Sequence, residues 1–195
     1  MTRRRLLQAA AALVLLAGAG WAVSRALDRL AGVEPAPEPA AAAPASPPTE
    51  GVAHITATLF YGSADGLALV PVRREILLAD GVVPQGREIL AAQLQPASDG
   101  YVPVIPEETS LRAFYITDRG DAFVDVSGEM AWRHPGGSTT ELLTVQAIVH
   151  AVTSNLPSIR RVQILIDGRE ADTLAGHVDL RRPLAPDPTL VREAP

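Results

Sequence analysis

Hydrophobic and polar residues alternate in the first part of the folded chain, and this alternation predicts β-strands. In residues 54–61, the apolar odd positions from Ile55 to Tyr61 share one face. Residues 67–75 read as a second strand after a turn. Pro71 within that strand indicates an edge position or a bulge, because proline cannot donate to a strand ladder. The folded region therefore opens with two strands joined at residues 62–66.

Helical spacing and end signals predict two helices. The shorter runs from about Pro84 to Leu94, with proline near its first turn. The longer follows Ser138, whose spacing to Glu141 matches a capping box in which both side chains cap the first turn. Its apolar face, which we interpret as core packing, consists of Leu142, Val145, Val149 and Val152.

The remaining strands complete the predicted fold. Alternation in residues 109–117 and 121–126 predicts a hairpin, and the apolar residues 161–166 predict a further strand. Asp167-Gly168 is a typical two-residue hairpin turn. Short strands with two helices between them predict an α+β fold with a mixed or antiparallel sheet and two helices packed on one face.

The N-terminal residues 1–25 read as a membrane anchor or signal segment. Three arginines, Arg3 to Arg5, precede an apolar run from Leu6 to Val23 whose 18 residues would span about 27 Å as a helix. The arginines favour an N-terminus inside the cell, which places the remainder outside the cytoplasm. We favour an uncleaved anchor over a cleaved signal peptide. Ala19 occupies the position of a lipidated cysteine, so lipid attachment there is excluded.

The rest of the chain divides into three parts. Residues 26–50 are a linker rich in proline and alanine, whose 18 residues from Val33 to Glu50 could reach on the order of 50 Å from a membrane. Residues 51–184 are the predicted folded domain, and residues 185–195 a C-terminal tail. The expected location is the cytoplasmic membrane, as a single-pass protein with its domain on the extracytoplasmic side.

Composition excludes several kinds of chemistry. The 195 residues contain no cysteine, which excludes disulfides and a cysteine nucleophile. Residues 51–195 carry 12 arginines against 18 acidic residues, and this negative charge argues against nucleic acid. No glycine-rich phosphate loop is present, and we predict no cofactor. The four histidines lack metal-ligand spacing, so no zinc site is predicted.

Short motifs from His54 to Leu184 occur in an order that resembles the GerMN domain, the sporulation and spore germination family. The motifs are residues 59–61 (LFY), 65–67 (DGL), 70–74 (VPVRR), 105–106 (IP), 124–127 (VDVS), 143–145 (LTV), 162–168 (VQILIDG) and 173–180 (TLAGHVDL). The resemblance implies an extracytoplasmic structural or binding role in the bacterial envelope. The family offers no established catalytic residues to transfer to this chain.

Three residues are candidates for ligand or partner binding. His177 lies in the best-matched motif and could bind a ligand, or a metal together with Asp179. The favoured reading is structural, with His177 satisfying backbone groups in a loop. Trp132, with Tyr101 and Tyr115, could stack on a glycan.

These observations predict a non-catalytic, membrane-tethered interaction module of the bacterial envelope. Its partner would be an envelope protein or a second copy, bound through a sheet edge or a helix face. The N-terminal segment would contact the membrane, and no nucleic acid is expected. One alternative is a glycan-binding module with peptidoglycan as its partner. Another is an envelope enzyme that uses Asp179 and His177.

Overall fold

The computed structural model describes residues 52–96 and 100–192. The predicted anchor (residues 1–25) and linker (residues 26–50) lie outside this part of the chain. No helix among the described residues is long and apolar enough to cross a bilayer. The elements in chain order are β1 (His54–Gly62), β2 (Leu69–Leu77), α1 (Val82–Gln93), β3 (Leu111–Ile116), β4 (Asp121–Val126), α2 (Glu129–Trp132), α3 (Ser138–Asn155), β5 (Arg161–Ile166), β6 (Arg169–Glu170) and a 3₁₀ turn (Pro188–Leu190).

The first two strands form an antiparallel pair along their whole length. His54 lies opposite Leu77 at one end, and Gly62 lies opposite Leu69 at the other. Pro71 lies opposite Phe60 without a shift in register. The alternation in the sequence therefore located both strands, and Pro71 occupies an edge position rather than a bulge.

The other four strands form a second sheet in the order β3-β4-β5-β6. The β4–β5 pairing is parallel and the other two are antiparallel, so the sheet is mixed. Asp167 and Gly168 both have positive φ, at 53° and 77°, which is the backbone geometry of the tight turn predicted there. The predicted α+β class with a mixed sheet is confirmed. The strands divide between two sheets.

Helix α3 lies at the centre of the domain, against β1, α1 and β5. Its buried apolar residues are Leu143, Val145, Ala147, Ile148, Val149, Ala151 and Val152. These residues extend around the helix well beyond the single predicted face, whereas Leu142 of that face is only partly buried. Packing on several sides explains why the apolar pattern is broader than one stripe.

The predicted C-terminal tail is packed against the domain over residues 185–192. The Gln146 side chain donates to the Ala185 carbonyl and accepts from the Asp187 N–H, at 3.2 and 3.0 Å. His150 Nε2 lies 3.0 Å from the Asp187 carbonyl oxygen. The Arg192 N–H donates to the Leu69 carbonyl at 2.8 Å. This segment therefore covers polar side chains of α3 and reaches the start of β2.

The predicted capping box at the start of α3 is wrong. Gly137 is the N-cap residue, Ser138 is the first helical residue, and no side chain caps the helix. The Glu141 carboxylate contacts residues 174–178 instead. A carboxylate at this position can accept hydrogen bonds from the first turn of the helix or from a distant loop. In the folded protein it accepts them from the loop.

Candidate functional site

The Glu141 carboxylate organises the loop that contains His177. Its side chain is fully buried and accepts hydrogen bonds from the N–H groups of Leu174 (2.9 Å), His177 (2.9 Å) and Val178 (3.1 Å). His177 Nδ1 also lies 3.0 Å from Glu141 Oε2. Burial alone would raise the pKa of Glu141. The backbone donors of Ala175, Val178 and His177 outweigh that effect, and the pKa is lowered.

His177 and Asp179, paired in one hypothesis as a site, have different partners in the structure. His177 contacts Glu141, and its loop is tied to α3 through that carboxylate. Asp179 is exposed and accepts from the Arg181 side chain at 2.9 and 2.8 Å. These hydrogen bonds from Arg181 hold the pKa of Asp179 well below its usual range. In residues 52–96 and 100–192, no group of three histidine or acidic side chains is arranged to hold a metal ion.

Trp132 lies at the end of α2 and is the most exposed large apolar side chain of the described residues, with 77% of its surface accessible. A Cβ atom at Gly128 would lie 2.8 Å from the Trp132 ring and 2.6 Å from Asp167 Oδ2. The neighbouring Arg133 forms an exposed ion pair with Glu108 at 2.9 Å. No described hydrogen bond or ion pair joins Trp132 to His177 or Asp179.

A cavity of about 360 Å³ lies beside the C-terminal end of α1. Its lining includes Glu107 together with Tyr61 and Tyr101, whose ring centroids are 6.2 Å apart. The Tyr61 hydroxyl is buried and has no hydrogen-bond partner among the described residues. Burial raises the pKa of Tyr61, opposed by the nearby Arg74 guanidinium. The sequence analysis assigned Tyr61 to a strand and named Tyr101 only as a possible stacking face for a glycan, and neither pattern indicated a cavity.

The outer edge of β1 is closed by side chains and by a short backbone bridge. The Asn155 amide accepts from the Thr58 N–H at 2.9 Å and donates to its carbonyl at 2.7 Å. The Gln93 amide does the same for Phe60, at 2.8 and 2.7 Å. Gly62 exchanges both of its backbone bonds with Val102. No further strand can therefore add to this part of β1 without displacing these groups.

The outer edge of β2 is open by contrast. In an antiparallel pair, opposite residues either bond to each other or both direct their backbone groups away. Thr58 directs its groups away from β2, so Arg73, which lies opposite, directs its N–H and C=O outward. The same alternation applies to Glu75. Neither residue has a backbone partner outside the β1–β2 pair among the described residues.

Sequence reasoning had indicated a β2 edge only through Pro71. It could not show which edge of the pair stays open, because the groups that close β1 come from residues far along the chain. Gln93 is 33 residues from Phe60, and Asn155 is 97 residues from Thr58. Long-range amide contacts of this kind leave no periodic signal in a sequence.

Solved structures similar to this one include GerMN domains. The tandem GerMN domains of the sporulation protein GerM from Bacillus subtilis are similar (18% identity, TM-score 0.51, 69% of this chain and 46% of that chain). A candidate lipoprotein from Clostridium perfringens is similar as well (28% identity, TM-score 0.49, 69% and 89%). The first GerMN domain of the same GerM is also similar (20% identity, TM-score 0.48, 68% and 96%). The chain thus spans about half of the tandem GerM structure. No curated protein matches the chain.

The family model described as "Germane: Sporulation and spore germination" matches residues 58–172, which is more than half of the chain. The matched region begins within β1 and includes the whole of α3 and the β5–β6 turn. The resemblance seen in the sequence is therefore confirmed, and the chain belongs to the Germane family of sporulation and spore germination.

Proposed function

We propose that this protein is a non-catalytic interaction module of the bacterial envelope, in a process related to spore formation or germination. The N-terminal residues 1–25 would hold it at the membrane and the linker would extend the domain on the extracytoplasmic side. Membership of the Germane family supports the process, and the arginine-led apolar segment supports the location. The partner is an envelope protein that binds through the main chain.

The observation that carries this proposal is the open outer edge of β2. Exposed N–H and C=O groups at a sheet edge pair readily with an added strand. At Arg73 and Glu75 the side chains are exposed as well, so a partner strand can approach without moving the core. The chemically notable groups elsewhere have internal roles: Glu141 holds the His177 loop, and Asp179 pairs with Arg181.

The test uses two substitutions at one position of the full-length protein in its membrane. Arg73→Pro removes the outward N–H, whereas Arg73→Ala removes the side chain and keeps that N–H. Cross-linking in intact cells should recover the same envelope partner with the wild type and Arg73→Ala, and lose it with Arg73→Pro. Pro71, two residues away, shows that this edge accommodates proline. Equal recovery with both variants would overturn docking through this edge.

Glycan binding is a second candidate, because two aromatic side chains are strongly exposed. Trp132 is 77% exposed and Tyr115 is 58% exposed, and such rings can stack on sugars. The full-length protein should then sediment with isolated cell-wall sacculi in a salt-resistant manner, and Trp132→Ala with Tyr115→Ala should abolish this. Leu67→Ala, at a residue exposed to the same extent as Tyr115, is the control. Unchanged sedimentation of the double variant would exclude this candidate.

A further inference from the structure

We infer that the strand added to β2 is β2 of a second copy of this chain, antiparallel, with Arg73 of each copy opposite Glu75 of the other. This inference rests on the proposed function, because it names the partner of the same edge. Charge complementarity and the outward backbone donors and acceptors of Arg73 and Glu75 support this pairing.

The strand geometry restricts the pairing to a few registers. Along β2, the residues whose backbone groups point outward are the odd positions from Pro71 to Leu77, because their even neighbours bond to β1. Only outward-facing residues can exchange hydrogen bonds with a second strand. If a two-fold axis relates the two copies of β2, the residues next to the axis can form backbone hydrogen bonds across it when the axis passes through position 73, 74 or 75.

Charge selects one of these three registers. An axis at Arg73 places two arginines opposite each other, and an axis at Glu75 places two glutamates opposite each other. An axis at Arg74 places each Arg73 opposite a Glu75, and opposite charges in such cross-strand positions are favourable. Neither Arg73 nor Glu75 takes part in the ion pairs formed by the described residues. Both are therefore available to a second copy.

The Arg74 residues meet at the axis on the other face of the strand. Each Arg74 guanidinium lies over the Tyr61 ring of its own chain, 5.6 Å from the ring centroid. Tyr61 belongs to β1, so this contact draws the charge toward β1 and away from the outer edge of β2. The two like charges are thereby kept apart in the proposed pairing.

The ends of the strand agree with the same register. It places Pro71 of one copy opposite Leu77 of the other, where Pro71 has no N–H to give. The Leu77 carbonyl that would face it already accepts from Gln85 Nε2, at 3.1 Å. The Leu77 carbonyl therefore does not need the N–H that Pro71 lacks. In another register Pro71 would not lie opposite Leu77, and this correspondence would be lost.

Pro71 also limits how far the chain itself can cover the edge. Val191 pairs with Leu69 in a parallel bridge, and the Arg192 N–H donates to the Leu69 carbonyl. Continued parallel pairing would next require an N–H from residue 71, which proline lacks. The described part of this segment, which ends at Arg192, pairs with Leu69 and leaves the outward backbone groups of Arg73 and Glu75 to another strand.

The decisive experiment uses the absence of cysteine from the chain. Full-length copies carrying Arg73→Cys and Glu75→Cys, with tags of different size, are expressed together and oxidised in the membrane. Hydrogen-bonded antiparallel partners have Cα atoms about 5.5 Å apart, within the range of a disulfide. A mixed disulfide dimer should form, and its second Arg73–Glu75 pair remains intact. Each variant expressed alone should give no dimer above that of Ser154→Cys, which is exposed on α3.

Charge exchange provides the second measurement. Arg73→Glu and Glu75→Arg should each lose co-purification with a tagged copy of the same variant. The two single variants should co-purify with each other, and the double variant with itself, because both restore opposite charges across the pair. Dimers formed by Arg73→Cys alone or Glu75→Cys alone would overturn the proposed register. Suppose that no combination of the cysteine variants forms a cross-linked dimer, while Arg73→Pro still loses an envelope partner. The partner is then not a second copy of this chain, and the proposed function stands.

Discussion

The side-chain amide of Gln93 binds both backbone groups of Phe60, accepting from its N–H at 2.8 Å and donating to its carbonyl at 2.7 Å. The amide thus replaces a neighbouring strand at this position. Gln93 is almost fully buried at the end of α1, so the contact also fixes this helix against β1. With Asn155 binding Thr58 in the same way, the contact explains why, in the β1–β2 pair, the outer edge of β1 is closed and that of β2 is open.

Gln93→Met should lower the free energy of unfolding by about 2–4 kcal/mol, since the substitution leaves two buried backbone groups without partners at about 1–3 kcal/mol each. Methionine has a similar length, so loss of packing contributes little. Chemical denaturation of the purified protein measures the effect. Gln95→Met, at an exposed residue of the same type, is the matched control. A change below about 1 kcal/mol would show that the amide is not required.

Glu141→Gln should destabilise the protein by about 2–3 kcal/mol at neutral pH, because several N–H donors lose a charged acceptor. The pKa of Glu141 is lowered in the folded state from its ordinary value of 4.5. The carboxylate therefore stabilises the fold fully above pH 4.5, and this contribution is lost as the pH falls toward the lowered pKa. The difference between wild type and variant should shrink over the same range. Denaturation curves at pH 7, 5, 4 and 3 measure it.

The matched control for Glu141 is Glu88→Gln, at a partly buried glutamate on α1. A difference between wild type and Glu141→Gln that stays constant down to pH 3 would contradict the argument. Such a result would mean that the destabilisation comes from the shape of the amide and not from the lost charge.

Glu141 also shows where sequence reasoning reached its limit. Ser138 and Glu141 have the spacing of a capping box, and nothing local distinguishes that use from a long-range one. The loop at residues 174–178 is 33 or more positions away and supplies the donors that attract the carboxylate. Burial of α3 on several sides likewise depends on elements that are distant in sequence. Local sequence patterns therefore do not predict contacts with elements that are distant in the sequence.

The strands were predictable because their signal is local. Alternation located β1, and the Asp167-Gly168 turn follows from two residues that tolerate positive φ. The division into two sheets was not predictable, since it depends on which edges the amides of Gln93 and Asn155 close. For the same reason the open edge of β2 became visible only in the structure.

Tyr61→Phe should raise the free energy of unfolding by about 1 kcal/mol, because it removes a buried hydroxyl that has no hydrogen-bond partner in the described part of the chain. The ring, which packs beside Tyr101 and beneath Arg74, is retained. Thermal and chemical denaturation measure the change, with Tyr101→Phe as the control at a partly buried tyrosine. Destabilisation by Tyr61→Phe would show that the hydroxyl binds a group from the cavity, such as an ordered water.

Gly86→Ala should destabilise the protein although alanine is the better helix former. Gly86 is buried in α1, and a Cβ atom there would lie 2.2 Å from Phe114 Cε1 on β3. Relieving that clash requires a shift of helix or ring, which costs about 1–3 kcal/mol and exceeds the gain of about 1 kcal/mol in helix propensity. The combination with Phe114→Leu should cost less than the sum of the two single changes, since the smaller side chain makes room for the methyl group. Denaturation of the wild type, the two single variants and the double variant measures the coupling between the two positions. If the two costs are additive, α1 does not pack against Phe114 at Gly86.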